Sequence, residues 1–183
     1  RPKKRLEIAS SRLGSGGYNI LHNNCEHFVN ECAIDSDLPL YLPEEYIPGS
    51  SERMACYREL ANLKSEQEIE NFKKQMEDRF GPMPHPSLEL LKVTPLRQLA
   101  RQLGMERILL KNGKMSIYFV SQLDSPFYQT TTFERSLHYA QRNFHSCRFS
   151  ENGGKRRMDI TNIGNINEAL TVLQTIANDS YSK

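Results

Sequence analysis

The sequence lacks the motifs that mark most nucleotide-using and metal-using enzymes. It contains no G-x-x-x-x-G-K-[ST] phosphate loop, no G-x-G-x-x-G turn, no H-E-x-x-H pair and no C-x-x-C pair. Asp124, Asp159 and Asp179 are isolated, so no carboxylate pair suited to general acid–base chemistry is present. These absences exclude a P-loop ATPase. They predict a chain that binds no cofactor, holds no metal and catalyses no reaction.

The 183 residues also lack a membrane-spanning apolar run and a signal-peptide pattern. The four cysteines, Cys25, Cys32, Cys56 and Cys147, are scattered, which favours free thiols over a disulfide framework. A hydrophobic content of 38% is enough to bury a core. We therefore expect a soluble, cytoplasmic monomer that makes no membrane contact.

The net charge of +2 is too small to indicate nucleic-acid binding. Its distribution is more informative, because residues 1–13 hold five basic residues and one acidic, whereas residues 44–78 hold nine acidic and five basic. No strand interleaves aromatic with basic residues along its length, as single-strand binders do. We interpret Lys155, Arg156 and Arg157 as a solvated hairpin turn.

The chain is organised around residues 38–82, which predict an extended arm followed by two helices. Pro39, Pro43 and Pro48 disfavour helix in the arm. A first helix is predicted from Ser50 or Ser51 to about Leu63. A second is predicted after Ser65, which has capping-box spacing to Glu68. The apolar side of this second helix is formed by Ile69, Phe72, Met76 and Phe80. We expect Phe80 to be a core anchor and Gly81 to end the helix with positive φ.

Residues 87–178 predict further helices and two hairpins. Helical spacing covers residues 87–103 and ends at Gly104. The first hairpin turns at Asn112-Gly113, and the second turns at residues 152–154. A helix follows each hairpin, with Thr131 and Asn165 as the predicted N-caps. The fold class is α+β, a helical region followed by a four-stranded antiparallel sheet with helices on one face. The predicted division is an N-terminal arm or helix of uncertain origin, 1–35, and a single α+β regulatory domain, 36–183.

The segment YNILHNNCEHFV resembles the cysteine motif of the lecithin:retinol acyltransferase group, within the NlpC/P60-like thiol enzymes. The resemblance covers about residues 1–28 and implies that Cys25 is a nucleophile at a helix start. The histidine base of that family lies on a preceding strand, which this sequence lacks. His22 and His27 are poor substitutes because they are close sequence neighbours. A thiol acyltransferase or hydrolase fragment using Cys25 is therefore the alternative function.

The segments LPEEYIP, SSERMACYREL, MEDRFGPMP and LRQLARQLGMERI resemble the C-terminal domain of bacterial transcription-repair coupling factor, Mfd. The resemblance covers about residues 28–183. It implies a non-catalytic regulatory domain of an ATP-dependent DNA translocase that displaces stalled RNA polymerase and recruits UvrA in nucleotide excision repair. It also implies docking on the N-terminal UvrA-binding module of the same parent, with DNA, RNA polymerase and UvrA as indirect partners.

The acidic second helix is the predicted docking surface for that module. Its apolar side is expected to be buried in the core, which leaves Glu66, Glu70, Lys73, Lys74 and Glu77 among its outward positions, with Glu66, Glu70 and Glu77 as the predicted docking residues. Charge complementarity then favours a basic partner surface. A third hypothesis is a nucleic-acid-binding module that uses the basic tail from Arg1 to Arg5.

Overall fold

The computed structural model describes residues 32–179, which contain five β-strands and six α-helices. The strands are β1 (Ala33–Ser36), β2 (Met105–Lys111), β3 (Lys114–Phe119), β4 (Cys147–Asn152) and β5 (Lys155–Thr161). The helices are α1 (Ser50–Ala61), α2 (Glu66–Phe80), α3 (His85–Leu91), α4 (Val93–Gln102), α5 (Thr131–Arg142) and α6 (Ile166–Ala177). A short 3-10 helix spans Pro126–Gln129. In these residues no helix is long and apolar enough to cross a membrane.

The described residues form two compact units. The first comprises residues 39–94, and the second comprises residues 32–38 and 95–179. The α+β class predicted from the sequence is confirmed, because helices α1–α3 precede the antiparallel strands β2–β5, which have helices of their own. The division into an arm, 1–35, and one domain, 36–183, remains a prediction.

In the first unit, hydrogen bonds fasten the extended arm. The Tyr57 hydroxyl accepts from the Leu42 N–H at 2.7 Å, and the buried Arg53 donates to the Ile47 carbonyl at 2.7 Å. The prolines of the arm lack N–H groups, so the arm cannot pair regularly with another strand. Side chains of α1 form hydrogen bonds with its N–H and carbonyl groups instead. Leu40, Leu42 and Ile47 are buried as a result.

Helix α2 begins and ends where its sequence predicts. Ser65 accepts from the Glu68 N–H at 3.1 Å, and Glu68 accepts from the Lys64 N–H at 3.1 Å. The capping pair is therefore confirmed, with the reciprocal bond one residue earlier than in the standard box. Gly81 follows the helix at φ 85°, which confirms the predicted positive φ.

The burial of α2 differs from the prediction at its last residue. Phe72 and Met76 are each 2% exposed. Phe80 is half-buried, with an edge contact to Tyr46 at 5.7 Å between ring centroids. The prediction that Phe80 is a core anchor is therefore wrong. Phe80 is the last residue of α2, so no following helical turn covers its ring, and part of the ring remains exposed to water.

In the second unit, the sheet has five strands rather than the predicted four, in the order β1-β2-β3-β5-β4. Strands β2–β5 are antiparallel, as predicted, and β1 pairs parallel to β2. Ile34 lies opposite Ile108, and both side chains are fully buried. A four-residue edge strand is too short to show a reliable alternation pattern, so the sequence placed these residues in the N-terminal arm.

One face of this sheet is apolar and carries the core of the second unit. Its buried residues from β2, β3 and β5 are Ile108, Leu110, Met115, Ile117, Phe119, Met158 and Ile160. Phe133 of α5 packs on this face, with its ring 5.4 Å from Phe119 and 5.7 Å from Phe149. Helix α5 is capped by Thr130, one residue before the predicted Thr131, and α6 is capped by Asn165 as predicted.

Candidate docking surface

Helix α2 aligns the three predicted docking residues along one stripe. At 3.6 residues per turn, Glu66, Glu70 and Glu77 lie within about 40° of one another around the helix axis. The buried pair Phe72 and Met76 lies about 120° away. The core therefore uses a different side of α2, and the acidic stripe is available to a partner. Glu66 and Glu70 are exposed, whereas Glu77 is half-buried.

Lys73 and Lys74 lie on or beside the stripe, but in the described residues neither forms an ion pair with its first two members. Within residues 32–179, neither Glu66 nor Glu70 has a hydrogen-bond or ion-pair partner. The first unit as a whole is acidic, with ten Asp and Glu residues against seven Lys and Arg residues in positions 39–94. Such a surface is complementary to a basic one.

Glu77 differs from the other two because it lies beside Tyr46. Burial raises the pKa of the Tyr46 hydroxyl, and the negative charge of Glu77 raises it further. That hydroxyl donates to the Gly81 carbonyl at 2.8 Å. Glu77 therefore has a local structural neighbour in addition to its place on the stripe.

Another acidic residue of the first unit is already neutralised. Glu52 of α1 forms an ion pair with Arg79 of α2, and both side chains are about half exposed. Glu52 is therefore a weaker docking candidate than the unpaired Glu66 and Glu70. An exposed pair of this kind contributes little to stability, typically below about 1 kcal/mol.

The structure offers no activated thiol among the described cysteines. Cys32, Cys56 and Cys147 are buried, and burial raises the pKa of Cys32 to about 12 and that of Cys147 to about 11. In residues 32–179, no group of His, Cys, Asp or Glu side chains has an arrangement that could hold a metal ion. Cys25, His22, His27 and the basic residues from Arg1 to Arg5 lie outside the described residues.

Sequence reasoning missed a second polar surface, on the sheet of the second unit. Arg107, Tyr118 and Arg157 lie side by side on three neighbouring strands. The Asn112-Gly113 turn implies that Arg107 lies opposite Tyr118, so half of this arrangement had a signal in the sequence. No local signal places β5 beside β3.

Comparisons with known proteins identify the family. The TRCF domain family matches residues 36–130, more than half of the chain, and the chain belongs to this family. The transcription-repair-coupling factor of Escherichia coli (strain K12) is 36% identical over 75 residues, which is 41% of this chain and 6% of that protein. The Rickettsia bellii (strain RML369-C) protein of the same name is 30% identical over 91 residues, 50% of this chain and 8% of that protein. The chain therefore spans less than a tenth of these two relatives.

A solved structure supports the fold. The crystal structure of the C-terminal domain of transcription-repair coupling factor aligns with a TM-score of 0.64 at 15% identity. The alignment covers 81% of this chain and 94% of the solved one. The similarity predicted from the sequence motifs is thus confirmed, although the family match begins at residue 36 rather than near residue 28.

The second resemblance is confirmed as well. The family described as lecithin retinol acyltransferase matches residues 2–37, about a fifth of the chain. This match ends within the region where the TRCF match begins, so the two overlap at residues 36 and 37. Strand β1 lies wholly within residues 2–37 and pairs with β2, which lies in the TRCF match.

Proposed function

We propose that this chain is the non-catalytic C-terminal regulatory domain of a transcription-repair coupling factor. In this proposal the parent is an ATP-dependent DNA translocase that displaces stalled RNA polymerase and recruits UvrA. The domain docks on the N-terminal UvrA-binding module of the same parent and restrains it until the polymerase is engaged. The family membership and the fold of the solved C-terminal domain support this assignment.

The observation that carries the docking proposal is the acidic stripe of α2. Glu66 and Glu70 are exposed, unpaired within the described chain and aligned with Glu77, while the apolar side of the helix is buried elsewhere. Within one polypeptide, weak docking is effective because the local concentration of the partner is high. With separate fragments the same contact is expected to be weak and sensitive to salt, since exposed charges are screened beyond about 10 Å at 0.1 M salt.

Reversing the stripe is expected to weaken docking. We expect the triple variant Glu66→Lys, Glu70→Lys, Glu77→Lys to bind the isolated N-terminal module at least about tenfold more weakly, because each reversal replaces attraction with repulsion. Titration calorimetry at low and moderate salt measures this. The wild-type affinity is expected to fall as salt rises.

A matched control reverses the same number of charges outside the stripe. Glu44, Glu45 and Glu59 are exposed residues of the same unit, and their triple reversal to lysine should change affinity much less. Thermal unfolding checks that both variants remain folded. Unchanged affinity in the stripe variant, or an equal loss in both variants, would place the docking surface elsewhere.

A second candidate function is thiol acyl transfer or hydrolysis by Cys25, favoured by the family match over residues 2–37. The chemistry requires a thiolate and a base that is oriented toward it. The family match for this function covers about a fifth of the chain, whereas the TRCF match covers more than half, so we rank this function below the regulatory one.

Thiol labelling separates the two functions. We expect Cys25 to titrate as an ordinary thiol, with a pKa near the usual value of about 8.5. Burial and raised pKa values should make Cys32 and Cys147 label slowly at neutral pH, which provides an internal reference. Iodoacetamide labelling across pH, followed by peptide mass spectrometry, reports each site. A strongly lowered pKa of Cys25, with ester or amide turnover that Cys25→Ala abolishes, would instead establish the enzyme.

A further inference from the structure

The sheet of the second unit has a polar face opposite its apolar one. Strand alternation, together with the registers between strands, assigns the polar side chains to this face. Its charged and aromatic members are Asp35, Arg107, Lys111, Lys114, Tyr118, Arg148, Lys155, Arg157 and Asp159. Six of these are basic and two are acidic, so the face has a net positive charge.

The centre of this face is a row of Arg107, Tyr118 and Arg157 across β2, β3 and β5. Tyr118 is the register partner of both arginines. Each guanidinium carbon lies 5.9 Å from the centroid of the Tyr118 ring, within the usual range for cation–π contact. The row therefore places an aromatic ring between two planar cations on an antiparallel sheet.

Two carboxylates on the same face of the sheet hold the arginines in position. Arg107 donates to Asp35 at 2.9 Å, and Arg157 donates to Asp159 at 3.0 Å. The side chains of Arg107 and Arg157 are 51% and 42% exposed, against 15% for Asp35 and 14% for Asp159. The carboxylates are thus largely covered, while the guanidinium groups are open to a ligand.

Further positive charge on this face is uncompensated. Arg148 of β4 and Lys155 of β5 are exposed, and neither has an ion-pair partner in the described part of the chain. Arg148 is the register partner of Asp159, next to the central row, and Lys155 lies two residues before Arg157 on the same face. They flank the row with cations that are free to contact phosphates.

We propose that this face binds single-stranded nucleic acid. Bases stack against Tyr118 and the guanidinium planes of Arg107 and Arg157, and the phosphate backbone contacts Arg148 and Lys155. The ring distinguishes this ligand from an acidic protein segment, which would use the cations alone. Base stacking also requires unpaired bases, so a duplex is a poorer ligand.

The sequence did not indicate this surface because the aromatic and basic residues alternate across strands, not along one strand. The two arginines of the row are separated by 50 positions in the chain. Only the pairing of β3 with β5 brings Arg157 next to Tyr118. The earlier interpretation of residues 155–157 as a solvated turn therefore does not account for Arg157.

Fluorescence anisotropy of a fluorescein-labelled 12-nucleotide oligothymidylate, titrated with the full chain, tests the proposal. We expect saturable binding at low salt, with a slope of log K against log salt of about −1.4 if two phosphates are contacted. We expect Tyr118→Leu to weaken binding about tenfold. Tyr118→Phe should retain most of the affinity, since stacking needs the ring and the hydroxyl only accepts a 3.5 Å hydrogen bond from Arg157. The double variant Arg148→Gln, Lys155→Gln should weaken binding and flatten the salt dependence.

Arg142 provides the matched control, because it is an exposed arginine on α5 away from the sheet. Arg142→Gln should bind as the wild type does, and thermal unfolding confirms the fold of each variant. The double variant changes only exposed side chains, so it keeps the test valid if Tyr118→Leu is unstable. Absence of binding at the lowest salt, equal affinity for a 12-base-pair duplex, or full affinity in a folded Tyr118→Leu or double variant would overturn the proposal. Competition by poly-glutamate as effective as unlabelled oligothymidylate would overturn it in favour of an acidic protein segment.

Discussion

Replacing Gly104 with alanine is expected to lower the free energy of unfolding by about 3 kcal/mol, through two separate effects. Gly104 follows α4 at φ 72°, where a side chain is strained. An added Cβ would also lie 2.2 Å from the Phe127 ring, far inside contact distance. That half-buried ring contacts the rings of Phe119, Tyr128 and Phe133, so moving it disturbs an aromatic cluster. Chemical denaturation of the wild type and of Gly104→Ala measures the difference in the free energy of unfolding.

Gly113→Ala is the matched control for this substitution. Gly113 has nearly the same φ, 71°, but nothing lies within 4 Å of its added Cβ. Gly113→Ala should lower the free energy of unfolding only by the cost of the left-handed conformation, about 1–2 kcal/mol. If the two alanine variants lose the same amount of stability, the close approach of Phe127 to Gly104 has no energetic consequence.

Phe72→Ala is expected to be the most destabilising truncation in α2, with a loss of about 3–5 kcal/mol. The Phe72 side chain is 2% exposed, so its removal leaves a cavity in addition to the lost burial. Phe80 is half-buried and has an edge contact with Tyr46. Phe80→Ala should therefore cost less, about 1–2 kcal/mol, since only part of its apolar surface is removed from water.

Phe72→Ala and Phe80→Ala remove the same side chain from one helix, so the comparison reports how deeply each ring is buried. Urea midpoints at equal slope give the comparison directly. A loss for Phe80→Ala that equals or exceeds the loss for Phe72→Ala would show that the end of α2 is more tightly packed than its half-buried ring implies.

The local features of this chain were predictable because their causes are local. Ser65 with Glu68, and Asn165 with Glu168, cap helices through hydrogen bonds that span three residues. Gly81 and Gly104 end helices because glycine tolerates positive φ. The Asn112-Gly113 turn sets the register of β2 with β3, and both turn residues have positive φ. The helical alignment of Glu66, Glu70 and Glu77 is likewise a property of sequence spacing.

The features that required the tertiary structure depend on contacts between distant residues. β1 is a strand only because β2 offers a free edge and Ile108 offers a buried partner for Ile34. Phe80 has the periodicity of a core residue, but its position at the helix end leaves it half-buried.

The sequence by itself determined the class of fold, the ends of several helices and the acidic stripe, because each depends on spacing within one segment. The tertiary structure alone decided the polar sheet face. Arg107 and Tyr118 share a hairpin, but Arg157 joins them through the pairing of β3 with β5, across about forty residues. Such pairing depends on the packing of the whole unit, which no local pattern records.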